Sequence, residues 1–545
     1  MNTINMKKIL FALTMLAAVP AAAQETYENA NIATDDLNGT ARYVAMGGAM
    51  EALGADISTI STNPAGIGLF RHSTINATAG FVSQQDASDF DWSKKTSMSF
   101  DQIGFVYSKQ SGPQSFLNFG FNYHKSRNFN QILSAANKFE RYEIKEGSDE
   151  FYSASQNKLS YIKGAEDCFG LEDDGGVWVG DGNAYSQLDY LYYNVLLPDA
   201  EDGDFYCYDA EGYSMIRGQK GYIGEYDFNF SGNINNRWYL GLSVGIKDVN
   251  YKSYSEYREQ LLKECKTRIG EVLISDERRI DGTGFNVKFG AIYRPIEESP
   301  FRIGLYVHTP TFYDLTTENL TFITNKTNVG LYKNEPKSCS ERYKFKLYTP
   351  WKFGISLGHT IGNMVALGAT YEYSDYGSID SRVNTGGGYD WYYDEYWEDS
   401  ESDRVMNNHT ESTLKGVSTF KVGAELKADK HFAVRLGYNY ISPMYNLDGF
   451  KNGALDSPGS YYASATDYTN WKATNRLTAG IGVNFDKLSL DLAYQYAITK
   501  GEFSPFMGYE AAPEKDEDMV YNNWAGITNV DNKRHQLLLT LGYHF

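Results

Sequence analysis

Eight histidines, four cysteines and several dense runs of carboxylates are the side chains of this 545-residue chain that could define a reaction or a metal site. Their spacing supports neither. His72, His124, His308, His359, His409, His431, His535 and His544 are scattered. No Ser/His/Asp set can be assembled from them, so an enzyme is not expected. Cys168, Cys207, Cys265 and Cys339 form no CxxC pair, and no histidine stands at ligand spacing to them. Neither a metal nor a cofactor is therefore read here. In an exported protein these cysteines could close disulfides, with the connectivity left open. The run DAEDGD at 199–204 lacks the spaced ligands and distal Glu of a calcium loop, and reads as loop acidity. The segment WYYDEYWED at 391–399 mixes aromatics with carboxylates and could grip a sugar or a cation, but a solvated outer loop explains it better.

Charges placed at regular intervals by the elements that carry them remain. Those elements are strands. The last residues show the pattern: Phe545, Tyr543, Leu541, Leu539 and Leu537 fall on one face, while His544, Gly542, Thr540, Gln536 and Arg534 fall on the other. Leu538 is the one apolar intruder on the polar face. The same alternation recurs around 237–249, 284–294, 431–441, 475–485 and 487–497. Segments of this length suit a tilted strand crossing a bilayer, which takes roughly 9–11 residues. Short turns at 109–113, 233–236, 295–300, 362–363, 428–430 and 486–487 alternate with long polar segments at 84–99, 125–222, 251–282, 310–342, 376–415, 442–473 and 499–533. A secreted β-sandwich or propeller also alternates, but needs neither aromatic strand ends nor strict short/long alternation of its connections. The expected fold is all-β, an antiparallel transmembrane β-barrel of about 14 strands over 73–545.

Composition agrees. Mean hydropathy is −0.47, and no stretch of about 18 apolar residues follows the leader, which excludes membrane-crossing helices. Aromatic residues make up 15% of the chain, and Gly (51) far outnumbers Pro (13), as suits twisted strands with aromatic girdles. The net charge of −19 argues against nucleic acid as a partner. Residues 1–23 read as a signal peptide: Lys7 and Lys8 lead, Ile9–Val19 is the apolar run, and Ala21-Ala22-Ala23 precedes Gln24. The expected location is the outer membrane of a Gram-negative-type bacterium. Short turns and the C-terminus would be periplasmic, and long loops extracellular. The last strand, ending at Phe545, would be read by the barrel-insertion machinery, with outer-membrane lipid as its surroundings.

Residues 24–72 do not alternate. They are rich in small residues, with glycines breaking short helical pieces and a turn at Asn63-Pro64. A lumen of this size can hold them, so a plug is inferred. The stretch RYVAMGGAMEALGADISTISTNPAGIG at 42–68 resembles the hatch of the FadL/TodX-like family of outer-membrane transporters for long-chain fatty acids and other hydrophobic compounds. Further matches follow in family order at 284–310, 347–359, 367–376 and 435–446, while the segment from 125 to 222 is far longer than the family usually carries.

The resemblance implies a 14-stranded barrel plugged by an N-terminal hatch. It implies passive uptake of hydrophobic molecules: loop capture, hatch-gated passage and lateral release through the wall. Carried over residue by residue, the hatch candidates are Asn63, Pro64, Ala65, Gly66, Gly47 and Gly48. Alternation puts Glu372, Lys421, Glu425, Asp491 and Arg534 in the lumen, together with Lys247, Lys288, Arg435 and Arg476, which could meet a ligand's anionic headgroup. A competing reading is a non-transporting scaffold or shuttle for protein secretion. A break in the strand near 114–124 and an apolar pocket at the hatch would favour transport; a sealed wall would favour the scaffold.

Overall fold

Strands with an apolar outer face satisfy their backbone groups in a bilayer only by closing on themselves. In the computed structural model they do. It describes residues 26–139, 209–263, 267–328, 341–362, 364–390, 395–451, 465–507 and 525–545, with short pieces between these spans. Residues 1–23, read as a signal peptide, the four cysteines and the acidic run 199–204 lie outside the described residues, as do Trp391, Tyr393 and Asp394.

Fourteen wall strands follow in chain order. They are β1 (Thr74–Gln85), β2 (Thr96–Gly112), β3 (Ser115–Asn128, continued by Gln131–Lys138), β4 (Asp209–Ile234), β5 (Trp238–Lys263) and β6 (Thr267–Tyr293). Next come β7 (Arg302–His308, then Phe312–Thr327), β8 (Glu341–Tyr348, then Lys352–Ile361) and β9 (Val365–Asp375, then Asp380–Asp390). The last five are β10 (Gly416–Lys427), β11 (Phe432–Ile441), β12 (Tyr468–Phe485), β13 (Leu488–Ser504) and β14 (Thr528–His544). Each pairs antiparallel with its neighbours, and β14 closes on β1 from Thr74↔His544 to Gln85↔Lys533.

The lower part of the wall carries the expected two faces. Leu240, Leu242, Val244, Ile246, Leu488, Leu490, Leu492, Leu537, Leu539 and Leu541 are exposed on the outside, and Ser243, Lys247, Ser489 and Asp491 are buried inside. Cross-strand aromatic pairs cover the outer face of β3 and β4: Phe119 with Phe230, Phe121 with Phe228 and Tyr123 with Tyr226, at 5.0–5.2 Å.

The long polar segments are the main departure from the sequence reading. Much of 125–222, 251–282 and 310–342 is strand. β4 and β5 run for 26 residues and β6 for 27, more than twice what a bilayer needs. Beyond the apolar belt they rise as a tower. Its outer face is polar (Lys252, Glu256, Arg258 and Gln260 alternate with buried Tyr251, Ser253, Tyr257 and Leu261), so no apolar stripe marks these stretches as strand. The tower is filled by its own core, which includes Tyr213, Met215, Tyr257, Leu261, Val272, Ile274, Ile323, Phe503 and Phe506.

Residues 26–70 pack against inward-facing residues of the wall. α1 (Thr26–Ala33) sits highest, beneath the tower core, with Tyr27 stacked on Tyr445 at 5.1 Å and Thr26 Oγ1 3.0 Å from Thr410 of α3 (Arg404–Thr413). Below it come α2 (Ala41–Ala45) and two 3-10 turns, Ile57–Ser61 and Pro64–Leu69. Each starts on a side-chain cap: Thr40 accepts from the Tyr43 amide, Asp56 from Ser58 and Asn63 from Ala65.

Candidate functional site

The hatch candidates are seats against the wall. Asn63 is fully buried; its Oδ1 accepts from the Ala65 amide at 3.2 Å, and its Nδ2 donates to the Glu51 carbonyl at 3.0 Å. The strands it faces carry glycine where a side chain would collide. A Cβ on Gly290 would overlap Asn63 Oδ1, and one on Gly241 would overlap the Pro64 carbonyl. Gly47 (φ +65) and Gly48 (φ +78) turn left-handed, and Gly47 lies against the β11 backbone at Tyr438. Opposite stand Gly423 and Gly437, where a Cβ would strike Met46 and Gly47. Backbone meets backbone at both seats, and only glycine allows that approach.

Ion pairs bind the hatch between its seats. Glu51 accepts from Tyr43 (3.1 Å), Thr370 (2.7 Å) and Lys421 (3.0 Å). Arg42 meets Glu425, which also takes Arg435 at 2.7 Å; Arg435 in turn holds Asp491 at 2.6 Å. The strap Thr34–Asn38 presents consecutive carboxylates in opposite directions. Asp35 sits between Lys247 (2.9 Å) and Lys352 (2.8 Å). Asp36 faces three arginines: Arg127 (3.2 Å), Arg476 (3.5 Å) and Arg534 (3.7 Å). Burial alone would raise the Asp36 carboxyl, but the three guanidiniums and the Asn128 amide hold it below the usual carboxylate range.

All four lumen cations expected from the sequence point inward, but they do not form one site. Lys247, Lys288 and Arg435 are each matched by wall or hatch carboxylates. Lys288 donates to both Glu225 and Asp227, beside His124, whose ring nitrogens lie 3.7 and 3.8 Å from the same two carboxylates. His124, Glu225 and Asp227 are thus brought together as no spacing in the sequence shows, with the Lys288 ammonium in the cationic place. Arg476 alone of the four lines the cavity between strap and tower, a space of about 350 Å³. Arg127 and Arg534 line it too, with Tyr27, Phe129, Tyr445, Tyr468 and Trp471. Arg534 was legible by alternation. Arg127 was not: it falls in 125–222, read from the sequence as a long polar connection, and it stands where the pairing of β3 with β4 slips between Ile223↔Arg127 and Gly224↔Lys125.

The wall beside this cavity has a seam. β3 is unbroken and paired on both sides over 116–124, so the break near 114–124 that would favour transport is absent there. The ladder between β2 and β3 stops at Gln102↔His124. Above that point β2 stays with β1, and β3 stays with β4. Side chains close the gap: Lys125 Nζ to Ser99 Oγ (2.9 Å), Asn130 Nδ2 to Ser97 Oγ (2.8 Å), and Asn38 Nδ2 to both Asp101 Oδ1 (3.0 Å) and the Lys125 carbonyl (3.1 Å).

The fold defines a closed 14-stranded antiparallel membrane β-barrel of the outer-membrane type, with an N-terminal segment packed on its wall. No family profile and no curated protein matches the sequence. Among solved structures, the toluene transporter TbuX of Ralstonia pickettii is similar over 93% of this chain and 99% of its own (12% identity, TM-score 0.45). A FadL homologue of Pseudomonas aeruginosa is similar over 94% and 99% (11%, TM-score 0.46), and the toluene transporter TodX of Pseudomonas putida over 94% and 100% (10%, TM-score 0.43).

Proposed function

We propose that the protein is an outer-membrane channel for passive entry of hydrophobic molecules such as long-chain fatty acids. The tower and loop end faces outside and the short turns with Phe545 face the periplasm. Ligand is caught at the loop end, passes to the cavity above the strap, and leaves sideways into lipid at the β2/β3 seam. The supporting observation is the cavity's continuity with the seam: Asn38 and Asn130 line the one and latch the other. A straight route down the lumen would take an apolar chain past Glu51, Lys421, Arg42, Glu425 and Arg435, which favours sideways exit. Gating falls to the hatch. The Gly47-Gly48 and Asn63–Gly66 turns are its fixed seats, and the strap between α1 and α2 is the part that yields. The resemblance of 42–68 to the FadL/TodX-like hatch agrees with this reading. The scaffold alternative draws on the polar outer face of the tower, a solvated surface suited to docking.

Uptake of a labelled long-chain fatty acid, in cells with and without the gene, tests the channel. Uptake should fall when the gene is deleted. Equal uptake, with no lipid co-purifying from mild detergent, overturns the reading.

A further inference from the structure

The strap and its arginines suggest which ligands the cavity takes. Four cations, Lys125, Arg127, Arg476 and Arg534, surround this corner, and the carboxylates facing them are Asp36 and Asp101. Asp101 is engaged through Oδ1 by Asn38 and Ser99, and among the described residues no arginine pairs with it. Three guanidiniums therefore converge on the single carboxylate of Asp36. Neutral acceptors take one further N–H each, Asn31 Oδ1 from Arg127 (2.7 Å) and the Asn128 carbonyl from Arg534 (3.1 Å), but the Nε atoms of both are buried and meet no acceptor among the described residues. Arg476, nine-tenths buried, reaches Asp36 and Asn439 only at 3.5 and 3.2 Å. An arginine cluster that is desolvated, under-filled and open to a cavity is an anion site. The adjoining rings of Tyr27, Phe129, Tyr445, Tyr468 and Trp471 supply an apolar surface for the rest of a ligand. The cavity's volume is at the small end for ligand sites, which run from roughly 300 to 1,000 Å³.

We propose that Asp36 is a built-in substitute for a ligand's headgroup: a small amphipathic acid seats its carboxylate on Arg127, Arg476 and Arg534 and displaces Asp36. This rests on the channel reading and adds a ligand class and a trigger to it. Displacement matters because Asp36 ties the strap to the wall. Its amide donates to the Ser126 carbonyl at 2.7 Å, and its carboxylate accepts from the Asn128 amide at 3.0 Å. Two residues on, Asn38 latches the seam. A carboxylate that takes over the arginines loosens the strap at the place where the wall opens. A neutral molecule of the same length has no such lever.

The test is equilibrium binding of radiolabelled octanoate and octanol to the full mature chain in lipid nanodiscs, with empty nanodiscs subtracted. Asp36→Asn should tighten octanoate about tenfold, the scale of one charge-assisted hydrogen bond, and leave octanol unchanged. Arg476→Gln should abolish the preference for octanoate over octanol in the otherwise native chain. It keeps the test open if Asp36→Asn fails to give the heat-modifiable band of a folded barrel. Octanoate binding unchanged or weakened in folded Asp36→Asn, both probes tightened alike, or a preference that survives Arg476→Gln each overturns the proposal. Charge-selective binding without uptake in cells supports it and counts against the channel reading alone.

Discussion

At the scale of residues, the hatch is held by groups that water would otherwise compete for. Glu51 is the clearest. It is fully buried in the lumen and gathers Tyr43, Thr370 and Lys421 onto one carboxylate. Removing one partner of such a pair leaves the other charge stranded, which costs about 3–5 kcal/mol. Lys421 has a second partner in Glu372 at 3.5 Å, so the lower end of that range applies to Glu51→Ala. The expected result is faster amide hydrogen exchange over 40–60, with exchange in the wall strands unchanged; unaltered exchange in the hatch rejects the assignment. Residue identity alone gave a mixed view of these contacts. Leu538, the intruder on the polar face of the last strand, is 1% exposed and packs on the hatch with Tyr43, Met46 and Met50. An apolar residue facing the lumen was thus a mark of the plug, but period two says only which way a side chain points, not what it meets.

At the scale of elements, hatch and wall fit through absent side chains. A Cβ on Gly437 would lie 2.2 Å from the Gly47 amide nitrogen, and one on Gly423 2.2 Å from the Met46 carbonyl oxygen. Both neighbours are backbone and cannot swing aside. Gly437→Ala should therefore push the hatch off its seat at about 1–3 kcal/mol, the usual cost of overpacking. Gly112→Ala, where the nearest atom is 3.4 Å away, should be neutral. Thermal unfolding in detergent, compared between the two variants, checks this; equal midpoints would show that the seat is slack. The elements themselves were legible in the sequence wherever one face meets lipid. The turns at 233–236 and 486–487, the alternating segments and the start at Thr74 all stand close to where periodicity puts them. Periodicity gave out in the tower. There both faces of a strand meet polar surroundings or a mixed core, so 251–263 and 267–282 read as loops although they are continuous with β5 and β6. The arginine corner was half legible: alternation found Arg476 and Arg534, while Arg127 lies in 125–222, where the polar composition read as a long connection.

At the scale of the whole molecule, the ring is complete only when β14 meets β1. Phe545 stands at that junction. Its amide donates to the Ser73 carbonyl at 3.0 Å, and its ring packs edge-on against Tyr543 at 5.0 Å. Yet the side chain is 67% exposed and faces outward. A ring so placed contributes little to the closed wall: it fills no core position, and its backbone bond does not depend on its side chain. Phe545→Ala should accordingly leave the thermal midpoint of purified, folded protein within about 0.5 kcal/mol of the parent, as for surface changes away from special features. If the ring is a signal to the insertion machinery, the same substitution should sharply lower the amount of folded barrel in outer-membrane fractions while total synthesis is unchanged. Quantifying the heat-modifiable band in those fractions, beside refolding of the same variant from urea into detergent, separates the two roles. A loss confined to cells assigns Phe545 to assembly. A matching loss on refolding in vitro would instead make it a structural clamp on the β1–β14 closure, and an undiminished yield in cells would leave the outward ring with no part in insertion.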